Sequence, residues 1–115
     1  MGQFRAKAFE HFLIREVKSI LEYRQSEMEL FYWRSTSQQE VDLIIGNSFA
    51  IEIKSTDKAN ESHAKGLKAL REEGQIKRYL VVSNDKLERK IDGIEFLHRK
   101  TFILMLLQDA QDTLK

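Results

Sequence analysis

Glu40-Val41-Asp42-Leu43-Ile44-Ile45-Gly46-Asn47-Ser48-Phe49-Ala50-Ile51-Glu52-Ile53-Lys54 is the stretch on which the fold of this chain turns. Two runs dense in Val and Ile flank Gly46-Asn47-Ser48, which is turn chemistry. They predict a hairpin of strands Glu40 to Ile45 and Phe49 to Lys54. Asp42, Glu52 and Lys54 stand among these strand formers. Asp is depleted from strands, and a buried carboxylate is costly unless paired or metal-bound.

The hairpin register decides where these charges point. With a two-residue turn at Gly46-Asn47, Asp42 falls opposite Ile51 and each face mixes carboxylates with large apolar groups. With a three-residue turn over residues 46–48, Asp42 falls opposite Glu52 and Glu40 opposite Lys54. Val41, Leu43, Ile45, Phe49, Ile51 and Ile53 then share one face, and Asp42, Ile44, Ala50, Glu52 and Lys54 the other. A one-residue slip turns every side chain to the wrong face, so burial selects the second register.

Working outward, Phe9, Phe12, Leu13, Val17, Ile20 and Leu21 recur at helical spacing and predict an amphipathic helix from about Phe4 to Tyr23. Leu30 to Arg34 is aromatic-rich and strand-like. On the other side, Asn60 is an N-cap candidate, Ala64, Leu67 and Leu70 form an apolar stripe, and Gly74 stands at a C-terminal stop. Together they predict a helix over about Glu61 to Glu73. Tyr79 to Ser83 and Ile94 to His98 read as strands, and Lys100 to about Asp112 as a closing helix. The order α-β-β-β-α-β-β-α predicts an α/β chain of the α+β kind. It has a meander, one right-handed crossover, and a mixed sheet with helices on its faces.

The 115 residues allow one domain, taken as 1–115, and no linker or repeat divides them. The absence of Cys excludes disulfides, thiolate zinc sites and a Cys nucleophile. No signal-peptide pattern is present, and the longest apolar run, Phe102 to Leu107, is far short of a membrane span. The expected compartment is the cytoplasm. The net charge of +1 conceals a distribution: residues 1–57 carry −2, residues 58–90 carry +4 and residues 91–115 carry −1.

In the second register, two carboxylates face each other across an antiparallel pair, with Cβ atoms about 4.5–5.5 Å apart. Like charges at that distance destabilise the sheet unless neutralised, and hard oxygen donors suit Mg²⁺ or Mn²⁺. Lys54 on the same face can stabilise developing negative charge. Carboxylates, metal and ammonium are equipment for phosphodiester hydrolysis. The plainer alternative is a cross-strand Glu40–Lys54 ion pair, with Asp42 and Glu52 facing water.

Val41-Asp42 followed by Ile51-Glu52-Ile53-Lys54-Ser55 resembles the D-(x)n-E-x-K signature of the PD-(D/E)XK nuclease superfamily. The element order over about residues 4–83 resembles that superfamily's restriction-endonuclease-like αβββαβ core. A closer similarity runs through Phe9-Glu10, Tyr32-Trp33-Arg34, Glu40-Val41-Asp42, Ile51 to Lys54, Lys65-Gly66-Leu67-Lys68-Ala69-Leu70 and Asp92-Gly93-Ile94. These resemble the nuclease-like C-terminal domain of prokaryotic AAA+-type ATPases. The resemblance implies that Asp42 and Glu52 bind the metal, with the Ile53 carbonyl as a further ligand and Lys54 as the catalytic lysine. It assigns the first-helix carboxylate to Glu10, while the helix wheel places Glu16 nearer the centre of the apolar stripe. It implies Mg²⁺ or Mn²⁺, DNA as partner, and homodimerisation as in resolvase-like relatives. It also implies either an ATPase domain in the same or a longer chain or a stand-alone nuclease-like domain. A Gly commonly stands just before Glu-Val-Asp in that pattern, where this chain has Gln38-Gln39. No glycine here opens a phosphate-binding G-x-x-x-x-G-K-[ST] loop. A second function follows from the same resemblance: a non-catalytic module binding DNA or a partner on behalf of an ATPase.

Lys65, Lys68 and Arg71 recur every three residues and are candidates for phosphate contacts. Tyr32 and Trp33 are read as core aromatics, with base stacking as the alternative. His11, His63 and His98 lack metal-ligand spacing and are read as surface or core-edge residues. Phe102 to Leu107 is expected to pack on the sheet, or to form a dimer or domain interface where exposed.

Overall fold

The structure, a computed structural model, describes residues 2–113, with side chains over 6–108. Helix α1 (Gly2–Tyr23) leads into strands β1 (Leu30–Arg34), β2 (Glu40–Ile45) and β3 (Phe49–Ile53). A 3-10 turn (Glu61–Ala64) opens helix α2 (Lys65–Arg71). Strands β4 (Arg78–Ser83), β5 (Arg89–Ile91) and β6 (Ile94–His98) follow, and α3 (Arg99–Thr113) closes the chain.

The first helix ends because Gln25 turns left-handed, with φ +54. The Ser26 N–H then reaches the Leu21 carbonyl at 2.9 Å and the Gln25 N–H reaches Glu22, a Schellman closure. α2 ends at Arg71 with Glu72 as its C-cap, two residues short of the expected end, and Gly74, at φ +72, turns the chain away just beyond. The single helix predicted over 61–73 is instead a 3-10 turn continued by an α segment. The Asn60 cap exchanges hydrogen bonds with Ser62 and His63 and tightens the opening turn.

The six strands form one mixed sheet in the order β1-β2-β3-β4-β6-β5. β1, β2 and β3 are antiparallel neighbours, whereas β3–β4 and β4–β6 are parallel. The meander and the α2 crossover are those expected. β5 is an addition: Asp92 and Gly93 both take positive φ, 53 and 77, and pair Ile91 with Ile94 across a two-residue turn. An Asp-Gly pair with both central residues left-handed is the signature of a type I′ hairpin. That signal stood in the sequence unread.

Helices cover both faces. α1 and α3 pack with Leu43, Ile45, Phe49, Ile51, Ile53, Leu80 and Val82 on one side. α2 packs on Val41, Ile44, Ala50, Tyr79, Val81, Ile94 and Phe96 on the other. Within the closing apolar run, Phe102 and Leu106 are buried against the sheet, while Leu104 remains exposed. No helix among the described residues is long and apolar enough to cross a membrane.

Val41 is a correction. The alternation of the hairpin placed it with Leu43 and Ile45, yet it packs with Ile44 under α2. The cause lies in the pairing with β1, where Phe31 faces Ile44 and Trp33 faces Val41. Asp42 and Leu43 together oppose the single residue Tyr32, a β-bulge that shifts the alternation of β2 beyond it.

Candidate functional site

The hairpin adopts the three-residue turn, with Ile45 opposite Phe49, Ile44 opposite Ala50 and Leu43 opposite Ile51. Pairing along β2–β3 stops there, at the bulge. Beyond it the ladder bonds are taken over by side chains. The Ile53 N–H donates to Asp42 Oδ2 at 2.8 Å, and the Asp42 N–H donates to Glu52 Oε1 at 3.2 Å. A bulge re-aims the side chains beside it and leaves backbone groups unpaired, and here the two carboxylates satisfy them. The expected meeting of Asp42 and Glu52 therefore occurs, through side-chain-to-backbone bonds.

Glu52 is the more deeply set, only 6% exposed, beside Val81 of β4. Burial, and then the charge of Asp42, push its carboxyl up to about 8. Burial likewise raises Asp42, against the opposing pull of the Ile53 N–H and of Lys54. Two adjacent carboxyls that both resist ionisation attract positive charge. Lys54 supplies part of it, with Nζ 3.5 Å from Glu52 Oε2. The cross-strand Glu40–Lys54 pair is not formed; Glu40 bonds to Arg34 instead.

Glu10 of α1 belongs to the same electrostatic neighbourhood. Its carboxyl is raised, chiefly by partial burial and then by Asp42, with Lys54 opposing. Glu16 lies elsewhere, in a groove between α1 and α3 with Phe12, Arg99, Lys100 and Leu104. Ile53, expected to offer its carbonyl, engages Asp42 through its N–H.

These residues open onto a cleft of about 230 Å³, lined by Gln38, Gln39, Glu40, Asp42, Glu52, Lys54, Ser62, His63, Lys65 and Gly66. Gly66 sets its width. A Cβ there would lie 1.9 Å from the Glu40 carbonyl oxygen, so only glycine lets α2 come this close to β2. The close approach brings His63 and Lys65 to the carboxylates.

Of the three basic candidates on α2, only Lys65 lines the cleft. Lys68 pairs with Glu61 and Asp92, at 4.0 and 3.9 Å. Arg71 grips the Asp92 carboxylate at 3.0 Å and also its carbonyl. Both brace the β5–β6 turn. Trp33 packs beneath α2 as expected of a core aromatic, whereas Tyr32 is 75% exposed. Tyr32 borders a groove with Lys18, Phe31 and Asp42.

Among the cleft residues not expected at a site, His63 and Gln38 stand out. His63 was set aside for want of ligand spacing, and its place opposite the Asn60 cap was unforeseen because His is an unusual capping-box partner. Gln38 carries φ +69, a conformation whose usual signal is glycine.

Mg²⁺ keeps several waters and takes one or two carboxylates from the protein. The Asp42–Glu52 donor set has that chemistry, and its raised, adjacent carboxyls would be relieved by a cation. Among the described residues, no three His, Asp or Glu side chains are gathered as a metal-holding group.

The fold and the cleft define an α+β chain in which a mixed sheet presents a carboxylate pair and a lysine at the edge of a bulged hairpin. The chain belongs to the family described as a domain of unknown function, DUF4143, whose model matches residues 5–102. Comparison with curated proteins and with solved structures returned no match.

Proposed function

We propose that this chain is a metal-dependent nuclease-type domain of the PD-(D/E)XK kind, hydrolysing phosphodiester bonds of DNA in the cytoplasm. One observation carries the reading: Asp42 and Glu52 abut at the bulge, with Lys54 Nζ 3.5 Å from Glu52, in an open cleft. Asp42 and Glu52 would hold Mg²⁺ or Mn²⁺, with Glu10 near enough to influence it. When bound, the ion supplies an activated water and a Lewis acid for the phosphoryl oxygens. The backbone N–H groups of Asp42 and Ile53 orient the two carboxylates. The Lys54 ammonium offers its charge where negative charge develops on phosphorus-bound oxygen. Homodimerisation and attachment to an ATPase domain belong to the same reading.

The test is cleavage of branched, single-stranded and double-stranded DNA with Mg²⁺ or Mn²⁺. Cutting that Asp42→Asn and Glu52→Gln each lower by at least about 100-fold is expected. Protein that shows no metal-dependent cut sensitive to either substitution is not a nuclease.

The carboxylates are already engaged by the Asp42 and Ile53 N–H groups and by Lys54, which favours a second reading, a non-catalytic module that binds DNA or a partner. Calorimetric titration separates the two. Absence of Mg²⁺ or Mn²⁺ heat, with DNA binding unchanged in Asp42→Asn, selects the module.

A further inference from the structure

His63 enters the cleft from the turn that opens α2, together with Asp42, Glu52, Lys54 and Lys65. Its ring is fixed by the cap. The Asn60 N–H donates to His63 Nδ1 at 3.2 Å, while Asn60 Oδ1 accepts the Ser62 N–H at 2.9 Å. A ring nitrogen that accepts a backbone N–H carries no proton, so the neutral ring holds its proton on Nε2. The neutral ring is the form present at neutral pH. Burial lowers the His63 imidazole below its ordinary value, and the Lys54 ammonium lowers it further. With Nδ1 committed to Asn60, the Nε2–H is the polar group the ring has left for the cleft.

This tautomer restricts the role. Metal ligation through Nε2 would move the proton to Nδ1, where the Asn60 N–H already points. What the ring offers is a neutral, directional donor beside two ammonium groups. A second cation there would repel Lys54, whereas a neutral N–H adds a hydrogen bond without that cost. Asp42 and Glu52 share the cleft but are engaged by the Ile53 and Asp42 N–H groups and, for Glu52, by Lys54. The donors left to meet a ligand are the ammonium groups and the ring N–H, which match an anionic oxygen cluster such as a phosphoryl group.

We propose that His63 is a phosphate-binding residue of this cleft. Its Nε2–H, set by the Asn60 cap, donates to a non-bridging phosphoryl oxygen that Lys54 and Lys65 attract. That the phosphoryl group belongs to a phosphodiester rests on the nuclease reading; the tautomer and the anion contact do not.

The test is nitrogen-proton correlation spectroscopy of the histidine rings in the full chain, followed by titration with inorganic phosphate. His63 is expected with a bare Nδ1 and a protonated Nε2, and its ring signals shift on phosphate addition. Gln and Glu are both capping-box residues, so His63→Gln and His63→Glu each retain an acceptor for the Asn60 N–H. Only Gln also carries a donor, so His63→Gln keeps phosphate affinity within about threefold of wild type and His63→Glu loses about tenfold or more. A Nδ1–H tautomer, affinity in His63→Glu equal to wild type, or affinity in His63→Gln as low as in His63→Glu overturns the assignment. DNA cleavage separates this inference from the reading beneath it. Absent cleavage with the predicted tautomer and phosphate contact sinks the nuclease alone, and cleavage undiminished in His63→Glu sinks the His63 assignment alone.

Discussion

Glu52 sits where ionisation is most expensive, and its pH dependence follows directly. Its folded-state carboxyl titrates at about 8, above the ordinary 4.5. Between those values the folded chain binds more protons than the unfolded chain. Stability is therefore fully present below about pH 4.5 and is lost as pH rises toward 8. Asp42 and Glu10, also raised, act with the same sign. Asp85 and Asp92 act oppositely: the Leu87 and Ala59 N–H groups lower the first and Arg71 lowers the second. Their contribution is present above the ordinary carboxylate range and lost as pH falls through it. Glu52→Gln keeps an acceptor for the Asp42 N–H and removes the charge. Thermal melts without metal should show it raising Tm at pH 8 by about 5 °C or more, with little change at pH 4.5. Equal melts at both pH values would show that Glu52 ionises freely in the fold. Gln38 makes a second residue-scale prediction. A non-glycine residue at φ +69 carries roughly 1–2 kcal/mol of strain, and glycine relieves it at some cost in unfolded-chain entropy. Denaturant unfolding of Gln38→Gly should show a gain of about 0.5 kcal/mol, and a loss would place the strain elsewhere.

Helix α2 crosses β2 at close range, and Gly66 is the contact. Alanine is the better helix former by about 1 kcal/mol, yet its Cβ would fall 1.9 Å from a backbone oxygen that has no rotamer to escape by. Gly66→Ala should therefore destabilise the fold by about 2–3 kcal/mol in urea unfolding. It should also lift Lys65 and His63 from the carboxylates and weaken anion binding. Stability at or above wild type would show that the helix does not depend on this close approach. The contact also shows what was legible beforehand. Apolar periodicity and turn chemistry are local, so the hairpin register, the crossover and the helical cover of both faces could be read from the chain. The bulge could not: two residues of β2 oppose one of β1 only once Tyr32 is paired. β5 is three residues of mostly polar sequence, Arg89-Lys90-Ile91, without a periodicity of its own. Only Asp92-Gly93 announced it. The carboxylate pair was legible because it broke strand composition. The ties of Lys68 and Arg71 to Asp92 were not, because more than twenty residues separate the partners.

At the scale of the whole molecule, charge is partitioned rather than absent. The sequence carries a net +1, and helical spacing alone would put three cations of α2 on a phosphate backbone. The fold divides them. Glu61, Lys68, Arg71 and Asp92 form a group that is neutral overall, whereas Lys65 has no ion-pair partner among the described residues and lines the cleft with Lys54. Binding of DNA through phosphate contacts releases about 0.9 counterion per contact. With Lys54 and Lys65 as the phosphate contacts, log affinity against log salt should fall with a slope of about −2. Lys65→Ala should flatten that slope by about one. Lys68→Ala should leave it unchanged and instead lower Tm by a degree or two, as expected when an exposed ion pair worth about 0.5 kcal/mol is lost. Fluorescence anisotropy with a labelled oligonucleotide at several salt concentrations reads both slopes. A Lys68→Ala slope as flat as that of Lys65→Ala would mean that Asp92 yields its cations to phosphate. The DNA path would then run across the β5–β6 turn as well as through the cleft.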